Sequence, residues 1–322
     1  MASWLHRWFG SPPAADVEAR EASPVAQPAP ERQASSRALD VDGAFHRWLL
    51  DAHGEDGAAA SADEHALYEA LVSAAEDPRL VHRVPRVPAI VPQLLQMLRD
   101  PSHQATDISR RVAQDAVLVA AVLRVANSPW YATGRRIESL EQALLILGQD
   151  GLRQIVASVA MKPLINVQSG HFTRVGAPRV WDQSERACAA CRLLARGQTG
   201  AGFEAYLAIL LTNVASIVAL RVLDERYHDG LAPASDAFCA ALGAVIRDLA
   251  GTIGRQWEFP PAVVAALGSE GTPSSPLVHA AERASRCRVL VDARCVTAED
   301  ARRALSHAPA AAACFEALAT AA

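Results

Sequence analysis

Three observations on the sequence predict an all-α fold. From Pro85 onward the apolar residues recur at helical spacing, and no stretch shows the alternation that is typical of a half-buried strand. Hydrophobic residues make up 51% of the 322 residues, which is enough to build a substantial core. Capping residues and glycine or proline stops divide the chain into segments of helix length.

Residues 1–38 form the first region of the chain. Trp4, Leu5, Trp8 and Phe9 recur at helical spacing at its start, and proline, alanine, serine and charged residues dominate from Ser11 onward. This composition predicts a disordered tether with an amphipathic tip. The tip is a candidate for binding a partner groove or a membrane surface. The alternative is that it folds back on its own domain, because so short a helix is marginal in water.

The sequence pattern of residues 39–80 predicts an N-terminal helical hairpin. Its first helix runs from Asp42 to His53 and is closed by Gly54, and its second runs from Ala62 to Glu76 and is closed by Asp77-Pro78. The pattern leaves open whether the hairpin packs on the main domain.

The main domain is predicted to span residues 84–288. Ser139 and Gln142 form a capping pair before an apolar segment that Gly148 closes. The uncharged run from Ala205 to Leu220 is too short to cross a membrane comfortably, so we expect a buried core helix. Further helices are expected at 150–162, 178–196, 203–222, 235–256, 260–268 and 276–288.

The sequence pattern of residues 289–322 predicts a C-terminal helical extension. Thr297 and Asp300 can cap a helix that reaches about Leu305. We expect the alanine-rich end after His307 to fray.

Charge and cysteine usage narrow the function classes. A net charge of −4 and an aromatic content of 5% argue against nucleic-acid binding. No secretory signal is visible, so we expect a cytoplasmic protein with reduced thiols. Cys188 and Cys191 have CxxC spacing, but a single pair within a helix favours two buried thiols over a zinc or redox site.

An ordered signature lies between Val87 and Ala160. Its elements are Pro88-Ala89, Pro92, Gln114-Asp115, Leu118 to Leu123, Ala126-Asn127-Ser128, Trp130-Tyr131, Ile137, Ser139-Leu140, Ala143, Leu147-Gly148 and Leu152-Arg153. This signature closely resembles the opening of the HDOD family, whose name means HD-related output domain. Weaker matches at Trp181 with Ser184, at Leu210-Leu211 and at Trp257 to Pro260 extend the resemblance over about residues 84–275. The resemblance implies a compact all-α bundle used as a signalling or output module.

Most of this signature is expected to be structural. Pro129 disfavours the α region for Ser128, so Asn127 and Ser128 should end a helix and bond to its open backbone groups. We therefore expect structural roles for Asn127, Ser128, Trp130, Tyr131, Ser139 and Gly148. Contact with a ligand or partner is the alternative for Asn127, Ser128 and Tyr131.

The resemblance also identifies positions of ancestral metal ligands. HD-domain phosphohydrolases hold a metal through histidines and a His-Asp pair, and the ion activates a water for attack on phosphorus. This chain has Gln183 at the first histidine, Thr212-Asn213 at the His-Asp pair, Ile246 near a further histidine and Glu270 near the last pair. We expect no metal and no other cofactor, and no enzymatic activity.

The leading functional hypothesis is a module that acts through protein contacts with bacterial signalling proteins of unknown identity. The resemblance implies regulation of motility, biofilm formation or cyclic-dinucleotide signalling. A second hypothesis is a nucleotide sensor that binds without cleaving, for which Arg153, Arg186, Arg247 and Arg255 are candidate phosphate contacts, although solvated helix surface also explains them. A residual metal-dependent phosphohydrolase ranks third.

Overall fold

The computed structural model describes residues 39–52, 60–79, 96–97, 104–131, 134–165, 170–196, 201–227, 232–268 and 272–319. Within these ranges the chain forms helices and no strand, which confirms the all-α prediction. The helices are α1 (Val41–Leu49), α2 (Ala62–Glu76), α3 (Ala105–Val112), α4 (Ala116–Ala126), α5 (Leu140–Ile165), α6 (His171–Leu194), α7 (Ala201–Arg226), α8 (Asp236–Gln256), α9 (Pro261–Ala265), α10 (Ser275–Asp292), α11 (Ala298–Ala304) and α12 (Pro309–Ala319). The candidate contact residues Trp4, Leu5, Trp8 and Phe9 lie outside the described residues.

Helix α7 is the centre of the bundle. It packs against α5, α6, α8 and α10, and every residue from Ala205 to Leu220 is buried, as predicted for a core helix. By length and composition both α7 and α8 could cross a membrane, but 94% of the apolar window of α7 and 61% of that of α8 are buried within the fold. Burial within the bundle accounts for the apolar character of α7 because its neighbouring helices cover it on all sides.

The N-terminal hairpin packs on this bundle. Helix α1 contacts α6, α8 and α10, and helix α2 contacts α7 and α8. The Glu64 carboxylate of α2 accepts hydrogen bonds from the backbone N–H groups of Ala234 and Ser235, both at 2.9 Å, where α8 begins. The first helix is shorter than predicted, because Asp51 adopts a left-handed φ of 54° soon after α1 ends at Leu49.

Helix α5 contains a break at Gly148. This residue has a φ of 71° and a ψ of −178°, and the apolar segment predicted to end there is continued directly by the next helix. Glycine is favoured at this position because it adopts positive φ without a steric penalty.

The alanine-rich C-terminus was expected to fray, but it forms a helix. Residues 309–319 form α12, which packs against α6 and α10. Phe315, Cys314 and Leu318 are buried in that contact, so apolar packing stabilises the helix.

Candidate functional site

Two of the positions that the resemblance assigns to metal ligands come together between α6, α7 and α10. Gln183 of α6 donates from Nε2 to Ser285 Oγ at 3.1 Å, and Asn213 of α7 donates from Nδ2 to Ser184 Oγ at 2.8 Å. All four side chains are at most 4% exposed. We call Gln183, Ser184, Asn213 and Ser285 the neutral cluster.

The other assigned positions add no strong metal ligand. Thr212 Oγ1 donates to the Ala208 carbonyl of its own helix at 3.1 Å, and Ile246 is a buried apolar residue of α8. Glu270 lies outside the described residues. In the described part of the chain, no three His, Cys, Asp or Glu residues are grouped so that they could hold a metal. Amide and hydroxyl groups are weak ligands for transition metals, so this donor set does not fit an HD metal centre.

A charged network adjoins the neutral cluster and reaches α1. Ser285 Oγ donates to the Glu282 carbonyl at 2.9 Å, and Arg286 forms ion pairs with Glu282 at 3.3 Å and with Asp42 of α1 at 2.6 Å. Burial alone would raise the pKa of Asp42, but the Arg286 guanidinium outweighs it and lowers that pKa. The ion pair between Arg286 and Asp42 therefore holds α1 beside the neutral cluster.

His46 of α1 lies in the same region and is fully enclosed. Its Nδ1 donates to the Cys239 carbonyl of α8 at 2.8 Å. Burial, reinforced by the neighbouring charge of Arg286, lowers the pKa of His46 to about 3. His46 is therefore neutral at physiological pH and acts as a hydrogen-bond donor within the core.

Asn127 forms hydrogen bonds to the backbone on both sides of the turn after α4. Its Nδ2 donates to the carbonyls of Leu123 at 2.8 Å and Ile137 at 2.7 Å, and its Oδ1 accepts from the Ile137 N–H at 2.8 Å. Asn127 thus ends α4 and joins it to the segment that leads into α5. Ser139 caps α5, accepting at Oγ from the Gln142 N–H at 3.1 Å.

Ser128, Trp130 and Tyr131 of the signature line a cleft between the end of α4 and helices α5, α6 and α7. Its volume is about 20 Å³, which is room for about one water molecule. Its aromatic walls are Trp130, Tyr131, Trp181 and Tyr206. Its small residues are Val125, Ser128, Ser158, Ser184 and Cys188, and its charged residues are Glu185 and Arg192. Because Ser184 belongs to both sites, the cleft adjoins the neutral cluster.

The inner wall of the cleft is made of neutral hydroxyl and thiol groups. Tyr206 forms a hydrogen bond with Ser158, and its hydroxyl lies 3.5 Å from that of Tyr131. Burial raises the pKa of both tyrosines and raises the pKa of Cys188 to about 12. These groups therefore remain protonated and can donate or accept hydrogen bonds without carrying charge.

The rim of the cleft is charged. Arg192 lies 3.7 Å from the ring centroid of Tyr131 and donates to the Trp130 carbonyl. Lys162 of α5 lies 4.3 Å from the ring centroid of Trp181. Among the described residues Arg192, Lys162 and Glu185 form no ion pair within 4.0 Å.

Sequence reasoning missed this rim and chose other arginines. Arg186 is buried and ion-paired with Asp182 and Asp292, whereas Arg255 is exposed and bonded to Thr252. Arg153 stacks on Phe203, and the charge of Arg247 lowers the pKa values of Asp42 and His46. None of the four lines the cleft.

Cys188 and Cys191 are buried thiols, as the single CxxC pair predicted. They are 3% and 0% exposed, and burial raises the pKa of both. A thiol with so high a pKa carries little thiolate, which is the form that ligates metals or attacks disulfides.

Comparison with known proteins identifies the family. The model of the HDOD domain matches residues 84–273. An HDOD domain protein of unknown function from Geobacter sulfurreducens is 20% identical, with 77% of this chain and 89% of that chain covered at a TM-score of 0.53. A Shewanella amazonensis SB2B protein provisionally described as a metal-dependent phosphohydrolase is 16% identical, with 81% and 99% covered at a TM-score of 0.55. At these identities the likeness shows a shared fold.

A curated relative from Treponema pallidum (strain Nichols), described as an uncharacterized protein, is 25% identical over 137 residues. The match covers 42% of this chain, and this chain spans 26% of the length of that relative. The relative therefore carries no function to this chain. The family model, in contrast, matches more than half of the chain, and the chain belongs to the HDOD domain family.

Proposed function

We propose that this chain is an HDOD-type signalling module that acts through protein contacts in bacterial regulation and does not hydrolyse phosphate esters at the ancestral metal site. The neutral cluster carries the proposal. Gln183 and Asn213 stand where the resemblance assigns metal ligands, and each is committed to a hydrogen bond with a serine. Holding and using a divalent ion there would require imidazoles and a carboxylate.

Two features support a role in protein contact. Leu145 and Ile146 are adjacent residues of α5 that are 84% and 41% exposed, and large apolar side chains in this position favour a partner surface. The N-terminal segment with Trp4 and Trp8 supplies a second apolar element, and our proposal gives it the role of recruiting the partner.

The absence of hydrolysis is tested with the full-length protein incubated with Mn²⁺, Fe²⁺ or Zn²⁺ and then desalted. We expect no stoichiometric metal by mass spectrometry and no hydrolysis of bis(p-nitrophenyl) phosphate above the buffer rate. A matched variant, Gln149→Ala on the exposed face of α5, controls for surface metal binding. Stoichiometric metal that is lost in Gln183→Ala but kept in Gln149→Ala would show a working metal centre and overturn the proposal.

The partner role is tested by affinity capture from native lysate with the full chain as bait. Trp4→Ala/Trp8→Ala and Leu145→Ser are compared with the unaltered chain, and circular dichroism checks that each variant folds. We expect a defined signalling protein to be captured and to be lost in one of the two variants. Equal, empty captures from all three baits would contradict a protein-contact role.

The nucleotide-sensor alternative is less well supported. Arg153, Arg186, Arg247 and Arg255 do not line the cleft, and its volume of about 20 Å³ is far below the range for small-molecule sites. A cyclic dinucleotide exceeds this space.

A further inference from the structure

The Ser128 hydroxyl is a buried polar group whose hydrogen bonds the described part of the chain does not supply. Ser128 lies in the turn after α4, where its backbone N–H donates to the Val125 carbonyl at 3.0 Å. Its Oγ is buried and has no hydrogen-bond partner among the described residues. A buried hydroxyl without a partner destabilises a fold, because it has lost its bonds to solvent and gained none in return.

The open backbone groups beside Ser128 are bonded by its neighbour, Asn127. The Asn127 side chain donates to the carbonyls of Leu123 and Ile137 and accepts from the Ile137 N–H. Ser128 instead lines the cleft between the end of α4 and helices α5, α6 and α7. A partner for its hydroxyl is therefore to be sought in the cleft.

The size of the cleft fits one water molecule. Its volume is about 20 Å³. A water needs at least about 10–15 Å³, whereas small-molecule sites begin at about 300 Å³. The inner wall carries no charge, since burial raises the pKa of Tyr131 and of Tyr206 and keeps both hydroxyls protonated. Volume and neutrality both favour water.

Tyr131 supplies a second partner for a water bound there. Its hydroxyl lies 3.5 Å from that of Tyr206, whereas an O–H···O hydrogen bond is usually about 2.5–3.0 Å long. Tyr206 is more closely bonded to Ser158. Since a hydroxyl has one donor site and two acceptor sites, the Tyr131 hydroxyl retains capacity for a further bond. Buried waters typically bond to about two to four polar groups, and Ser128 and Tyr131 provide two of them.

We propose that the cleft binds one ordered water molecule, which hydrogen-bonds the Ser128 hydroxyl and joins it to the hydroxyl of Tyr131. This water completes the bonding of Ser128 and holds the turn after α4 against the inner wall of the cleft. Ser128 thereby has a structural role that differs from the predicted one, in which its hydroxyl bonds to the end of α4 itself. The inference does not depend on the proposed function, because neither partner binding nor the absence of hydrolysis enters it.

A crystal structure of the full-length protein, at a resolution that shows ordered water, tests the site directly. We expect one water peak within about 3.2 Å of both Ser128 Oγ and the Tyr131 hydroxyl oxygen. In crystals of Ser128→Ala the peak should be weakened or lost, because the water has lost one of its partners.

Thermal unfolding of Ser128→Ala gives a second test, in which the sign of the change decides. If the hydroxyl is bonded to a water, its removal breaks that bond, and Tm should fall by about 2 °C. If the hydroxyl were buried without a bond, alanine would remove an unsatisfied polar group and Tm would rise. Ser306→Ala is the matched control, because Ser306 is an exposed serine in the turn after α11, and its Tm should match that of the unaltered chain.

Three results would overturn the proposal. The first is a crystal structure without a water peak within hydrogen-bonding distance of Ser128 Oγ. The second is a Ser128 hydroxyl bonded directly to a protein group in that crystal structure, and the third is a rise in Tm on Ser128→Ala. If Ser128→Ala does not fold, the crystal structure of the unaltered chain decides alone.

Discussion

Helix α6 contributes adjacent residues to two polar sites that differ in how their polar groups are satisfied. In the neutral cluster, Gln183 and Ser184 are buried, uncharged and bonded to Ser285 and Asn213. In the cleft, the next residue, Glu185, is a half-buried carboxylate without an ion-pair partner among the described residues. The neutral cluster satisfies its polar groups with uncharged hydrogen bonds, whereas the cleft holds a partly buried charge.

The difference teaches where to look for function in a domain whose ancestral site has been altered. A buried network in which each polar group has a partner rigidifies a core and specifies its packing. Unpaired charge in a concave, aromatic surface is more typical of a binding site. Here the two lie on either side of Ser184.

The largest expected effect comes from placing a charge in the neutral cluster. Gln183→Glu replaces a buried amide by a carboxylate beside Ser285, with no basic partner assigned to it, and should cost about 3–5 kcal/mol of unfolding free energy near neutral pH. Because burial raises the pKa of the new carboxyl, the folded state takes up a proton more readily than the unfolded state as pH falls. The deficit should therefore shrink toward about pH 4.

Urea unfolding at several pH values measures this effect. Gln149→Glu is the matched control because residue 149 is exposed on α5, and its effect should stay within about 0.5 kcal/mol. Equal effects of the two substitutions would show that the neutral cluster tolerates charge as a solvated surface does, which would remove the contrast with the cleft.

The family resemblance identified two residues of the neutral cluster from the sequence alone. Gln183 and Asn213 were singled out because an ordered family pattern fixes what usually stands there. Asn127 bonds to open backbone groups at the end of α4, for which the local pattern before Pro129 gave a reason, whereas the expected bonds of the Ser128 hydroxyl are not made among the described residues.

The cleft and the link to α1 depend on long-range contacts that no local pattern contains. Asp42 and Arg286 are 244 residues apart in sequence, and Lys162 meets Trp181 only because α5 and α6 pack together. Helical periodicity indicates which face of a helix is buried but not which distant face covers it. For this reason the arginines chosen from the sequence missed the cleft, and Arg192 was not considered.

A smaller loss of unfolding free energy, expected on acidification, tests whether His46 stays neutral in the folded state. The pKa of His46 is lowered from 6.5 to about 3 in the folded state. At pH values between these two, the unfolded state therefore binds a proton that the folded state does not bind. Stability is fully present above about pH 6.5 and is lost as pH falls toward the folded pKa. Between about pH 7 and pH 5 this loss should reach about 2 kcal/mol.

His46→Asn keeps a side-chain N–H donor and removes the titration, so its stability should vary less with pH over this interval, whatever its stability near neutrality. A protonated His46 would face Arg286 of α10 and Arg247 of α8, with Asp42 as its acidic neighbour. His65→Asn, a change at an exposed histidine of α2, should retain the slope of the unaltered chain. An unchanged slope in His46→Asn would mean that the pKa of His46 is the same in the folded and unfolded states, which would contradict its lowered pKa.

The smallest expected change in stability is also the most informative about the cleft. Because burial raises the pKa of Glu185, its charged form destabilises the folded state at pH values above the ordinary value of 4.5. Glu185→Gln should therefore raise the unfolding free energy near neutral pH, by less than about 1 kcal/mol because the side chain is partly solvated. Urea unfolding of the two proteins side by side checks this, with Glu69→Gln at an exposed position of α2 as the control.

The sign of this change shows whether the Glu185 carboxylate supports the fold. If the carboxylate supports the fold, the protein loses stability when it is neutralised, whereas if the carboxylate only carries the cost of burial, the protein gains stability. A drop in stability on Glu185→Gln would place Glu185 with Gln183 and Ser184 as part of the framework, and the contrast between the two sites would then be one of charge alone.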